Sequence, residues 1–286
     1  MRHYLATFKR IFPGAHYVFA SLVLVFGIFT LIYALGVSQG LFLRSFITNL
    51  DKNVLDIVLV QRGDTRSGFF LFFTYLGNWE IIASLSTVIL TVMLLARKIR
   101  AMWFFIIALA FGQASSLIFK YLLTRNRPDT AHALIEQGGY SFPSGHALGA
   151  FIFYGVCAYF LCTLLKKRWQ KNICTLTAIV VIGLIGLSRM YLGVHWLSDV
   201  IAGWLMGATL LIVFIVFFEH RKRLFPTIHR PTIASNQIIL GISIVLTIGE
   251  IFFIWYFYIS HPFKSSTRLP SLNYETPTMS LSGLTR

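Results

Sequence analysis

Polar positions along this chain crowd into short segments, and between them run apolar stretches of about 18 to 22 residues. A hydrocarbon core of about 30 Å is crossed by roughly 20 helical residues, so each stretch has the length of a spanning helix. The pattern predicts helices over 17–37, 79–96, 102–123, 147–165, 172–190, 197–218 and 237–258. Residues 1–16 then form a cytoplasmic N-terminal segment, 17–258 a transmembrane domain, and 259–286, rich in Ser, Thr and Pro, a flexible tail. The first apolar run exceeds a secretory apolar region and lacks an Ala-x-Ala site, so an uncleaved helix is expected.

Two features complicate this pattern. Residues 38–78 carry Arg44, Asp51, Lys52, Asp56, Arg62, Asp64 and Arg66, which places most of the stretch outside the hydrocarbon. Within it, Phe69 to Leu76 is apolar yet too short to span. It reads either as an interfacial or re-entrant segment beside Trp79 or as a tilted extension of the second helix.

Composition supports the membrane class. The 286 residues are 56% hydrophobic and only 12% charged, too apolar for an ordinary soluble domain of this length. The net charge of +15 needs no nucleic acid to explain it. The cations form clusters between apolar runs: Arg2, Lys9 and Arg10; Arg97, Lys98 and Arg100; Lys166, Lys167, Arg168 and Lys171; Arg221, Lys222, Arg223 and Arg230. Seven spans with a cytoplasmic N-terminus put every cluster inside, as the positive-inside rule requires, and the C-terminus outside. Cys157, Cys162 and Cys174 lie in or beside apolar runs without metal-ligand spacing and imply no disulfide. No Walker loop, His-Glu-x-x-His zinc motif or internal repeat is present.

An ionisable residue at the centre of a spanning helix costs about 2.5 to 3.5 kcal/mol, so its position carries information. Here such residues gather at the outer level. Lys120 ends the third span and Arg127 follows in the loop; Pro143-Ser144-Gly145-His146 precedes the fourth; Ser188 and Arg189 close the fifth; His195 and Asp199 open the sixth. Taken singly, each has an ordinary explanation: a snorkelling cation, an interfacial histidine beside Trp196, a serine N-cap. Together they fit phosphate. Lys120, Arg127 and Arg189 supply a point charge and two guanidinium forks. The N–H groups around Ser144 and Gly145 begin a helix where an anion is favoured. On a continuous helix His195 and Asp199 share a face, so the carboxylate orients the imidazole as a nucleophile, leaving His146 as the acid.

Lys120 through Arg127-Pro128, Pro143 through His146, and Ser188-Arg189 through His195 to Asp199 resemble the three-part signature of the type 2 phosphatidic acid phosphatases, a superfamily that includes vanadium-dependent haloperoxidases. The resemblance covers about residues 70–220, and all three parts are complete. It implies an all-α polytopic membrane bundle with a six-helix phosphatase-like core, here with an extra C-terminal transmembrane helix. It also implies hydrolysis through a phosphohistidine with no metal or other cofactor. By position, His195 would attack phosphorus, Asp199 orient it, and His146 protonate the leaving group and then activate water. Lys120, Arg127, Ser144, Gly145 and Arg189 would hold the phosphoryl oxygens. The soluble haloperoxidase branch fits this apolar chain less well.

A site at the outer surface of a plasma (inner) membrane suits a phosphate carried on a lipid. Phosphatidic acid, phosphatidylglycerol phosphate, undecaprenyl diphosphate and lipid A phosphate are all compatible. A compact chain without an Asn-x-Ser/Thr acceptor favours undecaprenyl diphosphate or a bacterial phospholipid phosphate. No nucleic acid or obligate protein partner is expected. A lipid phosphotransferase would use the same residues. An intramembrane serine protease would leave Lys120, Arg127 and Arg189 without a role, and a transporter would place its polar residues near the midplane.

Overall fold

The structure, a computed structural model, describes residues 43–129, 131 and 133–224, with isolated positions 24, 27, 28, 245, 249, 252 and 256. Between 43 and 224 seven helices follow one another: α1 (Leu43–Val60), α2 (Asp64–Leu76), α3 (Trp79–Leu95), α4 (Ile99–Leu123), α5 (Gly145–Leu164), α6 (Arg168–Tyr191) and α7 (Leu197–Leu224). All regular structure among the described residues is helical, in keeping with the all-α bundle expected from the apolar pattern. The expected spans at 17–37 and 237–258, and the tail from 259, lie outside the described residues.

Helices α4, α5, α6 and α7 are each long and apolar enough to cross a membrane. Four such helices in succession have the length and composition of a multi-pass membrane bundle. The expected span at 79–96 meets the same test only as α2 and α3 together, a pair bent by 49°. The Phe69–Leu76 run therefore belongs to a separate helix and does not simply lengthen the second span. Its end is local chemistry: the Gly77 N–H closes onto the Thr74 carbonyl and Asn78 starts α3. A Cβ on Gly77 would lie 2.6 Å from Ile185 and 3.1 Å from the His146 ring, so glycine lets the break press against α5 and α6.

α5 is the central element, packing against α4, α6 and α7. Phe105, Ala108, Leu148, Ile152 and Val156 are buried where α4 and α5 meet, joined by Met206 of α7. At the start of α5, a Cβ on Gly203 would stand 2.7 Å from the Ser144 carbonyl. This close approach brings the first turns of α5 and α7 together, and the site is built there.

Candidate active site

Antiparallel packing collects the end of α4, the start of α5, the end of α6 and the start of α7 at one level of the bundle. That level holds every residue singled out from sequence. Lys120 sits in the last turn of α4 and donates from Nζ to the Tyr140 carbonyl at 2.6 Å. Arg127, in the loop between α4 and α5, donates to the carbonyls of Gly138, Gly139, Tyr140 and Val194 at 2.7–3.2 Å. Arg189 is buried at the end of α6 and donates to Thr74 Oγ1 and Gln137 Oε1, both at 2.6 Å, while its Nε has no partner. All three cations are thus held by neutral acceptors.

Arg127 also fixes the tautomer of His195. Its Nη1 lies 3.1 Å from His195 Nε2, and a guanidinium can only donate, so Nε2 carries a lone pair and the ring proton is on Nδ1. Nδ1 faces Asp199 Oδ2 at 3.4 Å, the long end of hydrogen-bonding range. The same Oδ2 accepts the Trp196 N–H at 3.0 Å. A continuous helix through both residues is not what joins them. His195 precedes α7 and Asp199 lies in its first turn, where the carboxylate folds back onto the entering backbone. Burial, reinforced by Arg189, Arg127 and Lys120, holds the His195 imidazole well below the usual histidine range.

Ser144 is buried and N-caps α5, its Oγ accepting from Ala147 N at 3.5 Å. Its own N–H is committed to the Asp199 carbonyl at 3.0 Å. The Gly145 and His146 N–H groups precede the first intrahelical bond and remain to receive an anion. Gly145 packs near Ser116, whose Oγ would lie 3.3 Å from an added Cβ. The half-buried His146 donates from Nε2 to Asn78 Oδ1 at 2.8 Å, in the break between α2 and α3.

Several participants escaped sequence reasoning. Thr74, Asn78 and Gln137 are neutral and lie at a helix end or in loops, where no spacing marks them. Arg125 and Asp51 carry charge, but nothing in their spacing connects them. In the structure Arg125 bridges Asp51 and Asp199, each at 2.6 Å. Among the described residues no cluster of three or more His, Cys, Asp or Glu has metal-binding geometry. A cavity of about 480 Å³ adjoins the loop, lined by Arg127, Gln137 and Gly138 and by Leu134, Ile135 and Val194.

The chain is similar to known proteins in sequence and in fold. The PAP2 superfamily profile matches residues 101–223. Phosphatidylglycerophosphatase B of Bacillus subtilis is 32% identical over 152 residues, 52% of this chain and 74% of the relative. Undecaprenyl-diphosphatase of Sulfolobus acidocaldarius is 34% identical over 105 residues, 36% of this chain and 47% of the relative. A crystal structure of a transmembrane PAP2 type phosphatidylglycerolphosphate phosphatase from Bacillus subtilis superposes with a TM-score of 0.65 at 27% identity, covering 71% of this chain and 98% of that one. With three quarters of a curated relative matched and the three motifs meeting at one level of a common fold, the chain belongs to the PAP2 superfamily.

Proposed function

We propose that the chain hydrolyses a lipid phosphate through a phosphohistidine on His195, without a metal. The broad class, membrane lipid phosphatase, comes with its family and relatives; the chemistry and residue roles are our reading. The observation that carries them is Arg189, buried at 1% exposure and bonded only to neutral groups. A buried cation without a counter-ion is costly unless an anion completes it. Lys120 and Arg127 are half-buried at the same level and also donate to backbone carbonyls, so the level presents three cations to one phosphoryl group.

The His195 Nε2 lone pair attacks phosphorus as Arg127 turns from it to a phosphoryl oxygen. The bond to the leaving oxygen breaks, and protonated His146 gives that oxygen its proton. The Gly145 and His146 N–H groups and the three cations take up the charge on the phosphoryl oxygens. Asp199 holds Nδ1–H as the ring becomes positive. Neutral His146 then removes a proton from water, the water oxygen attacks phosphorus, and the P–N electrons return to Nε2. Inorganic phosphate leaves.

The lipid we favour is a bacterial phospholipid phosphate or undecaprenyl diphosphate, in line with the names of the relatives. The site and C-terminus would face outward from a plasma (inner) membrane. Phosphate release from phosphatidylglycerol phosphate and undecaprenyl diphosphate, in detergent with a chelator, tests the chemistry. Wild type should release phosphate and His195→Ala should not; activity in the variant would remove the nucleophile. A periplasm-active reporter should be active after Asp129 and silent after Lys167; the reverse would put the site inside.

A further inference from the structure

The site level contains a fourth cation that behaves unlike the other three. Arg125 donates from Nη1 to Asp199 Oδ1 and to Ser198 Oγ, and from Nη2 to Asp51 Oδ2, all at 2.6 Å. Both carboxylates are buried, at 2% and 0% exposure. Asp51 lies on α1, outside the residues 101–223 matched by the family profile and outside all three motifs. It accepts the Ser198 N–H at 2.9 Å and the Ser198 hydroxyl at 2.6 Å, so α1 supplies the cap for the first turn of α7.

We propose that Asp51 and Arg125 are positioning residues of the reaction, a pair that fixes Asp199 and sets the net charge it presents to His195. This rests on the reading of His195 as the nucleophile. Arg125 holds one oxygen of Asp199, and the other oxygen is left to Trp196 N–H and the imidazole. By itself Arg125 would cancel the charge of Asp199, leaving little to stabilise an imidazole that turns positive as its P–N bond forms. Asp51 offsets that. Two carboxylates around one guanidinium leave a single negative charge behind His195, in the turn where Asp199 is held. Arg125 thus supplies geometry, and Asp51 restores the charge that this geometry would cancel.

The two residues therefore act in opposite electrostatic directions, which a purely structural role does not predict. The other groups facing His195 are Arg127 from the loop, Arg189 from α6, Lys120 from α4 and His146 from α5, and they are left intact in every variant. Asp51→Asn, Arg125→Gln, the double variant and Arg125→Lys are compared with wild type by phosphate release from phosphatidylglycerol phosphate across pH. Thermal unfolding in detergent confirms that each is folded. Asp51→Asn should lower kcat roughly ten- to hundredfold with KM within about twofold, and move the acid limb of kcat/KM to lower pH. Arg125→Gln should also lower kcat but move the limb to higher pH. The double variant should bring the limb back toward wild type, and Arg125→Lys should recover part of kcat. Limbs that stay put, or move in the same direction in both single variants, would overturn the proposal. His195→Ala is measured alongside: activity there would remove the nucleophile, whereas an inactive His195→Ala with unmoved limbs would overturn only the role of the pair.

Discussion

The two ends of the same helices are built on opposite terms. Toward the start of α4 and the ends of α5 and α7, Phe104, Phe160 and Phe218 meet edge-on or tilted, with ring centroids 4.6–5.8 Å apart. Tyr159 joins them and donates its hydroxyl to Glu219. At the other end, four cations, two carboxylates and two histidines share a few turns. The aromatic end fills space with matched surfaces, while the polar end keeps a buried guanidinium without a carboxylate. An arrangement that lowers stability at one end is tolerable because packing at the other sustains the bundle, and the cost falls where the proposed phosphoryl group would bind.

Substitutions at the two ends should therefore separate activity from stability. The largest effect is expected from Arg189→Met, a loss of roughly 10³-fold in kcat/KM with thermal stability in detergent unchanged or raised, since an uncompensated buried charge is removed. A fall in stability matching the fall in activity would mean that Arg189 is structural. Phe104→Ala should do the reverse. It is expected to cost about 3 kcal/mol of stability by opening a cavity, while the folded fraction keeps its kcat. A lower kcat per folded molecule would show that the two ends are coupled. Asn78→Ala should be milder, roughly tenfold in kcat, because His146 keeps its place in α5 and loses only the acceptor that holds its Nε2. The smallest effect is a position on the pH axis. As the proposed nucleophile, His195 would have to be neutral to attack, and burial holds its imidazole well below the usual histidine range. Activity should therefore persist as pH falls through 6.5 and be lost only at lower values; a limb at or above 6.5 would show a more hydrated nucleophile.

Much of this was legible in the sequence, for reasons that also explain what was missed. The spans at 102–123, 147–165, 172–190 and 197–218 agree with α4, α5, α6 and α7 to within four residues at every end but the last, where α7 runs on to Leu224, because apolar length is read directly. The signature residues were found because buried charge in an apolar chain stands out. The break at Gly77 and Asn78 was one of two readings of the Phe69–Leu76 run, since an apolar run continues on both sides of it and only its packing against Ile185 and His146 shows why a glycine is there. Asp51 was visible as a charge outside the spans, but its approach to Ser198 over 147 residues of sequence is a tertiary fact with no local trace. Spacing of four predicted the partnership of His195 and Asp199, although the structure achieves it with a turn.

The convergence of four helix ends on one level also bears on how the protein is made. Asp51, Arg125 and Arg127 are synthesised early, on α1 and in the loop that follows α4, where water can keep them while they wait. Arg189, His195 and Asp199 come later and close onto Thr74, Gln137, Arg127 and Arg125, groups already laid down. On the proposed roles, the nucleophile and the carboxylate that orients it come together only with the first turn of α7. A chain halted before α7 would then be expected to release no phosphate, and entry of that helix would complete the site.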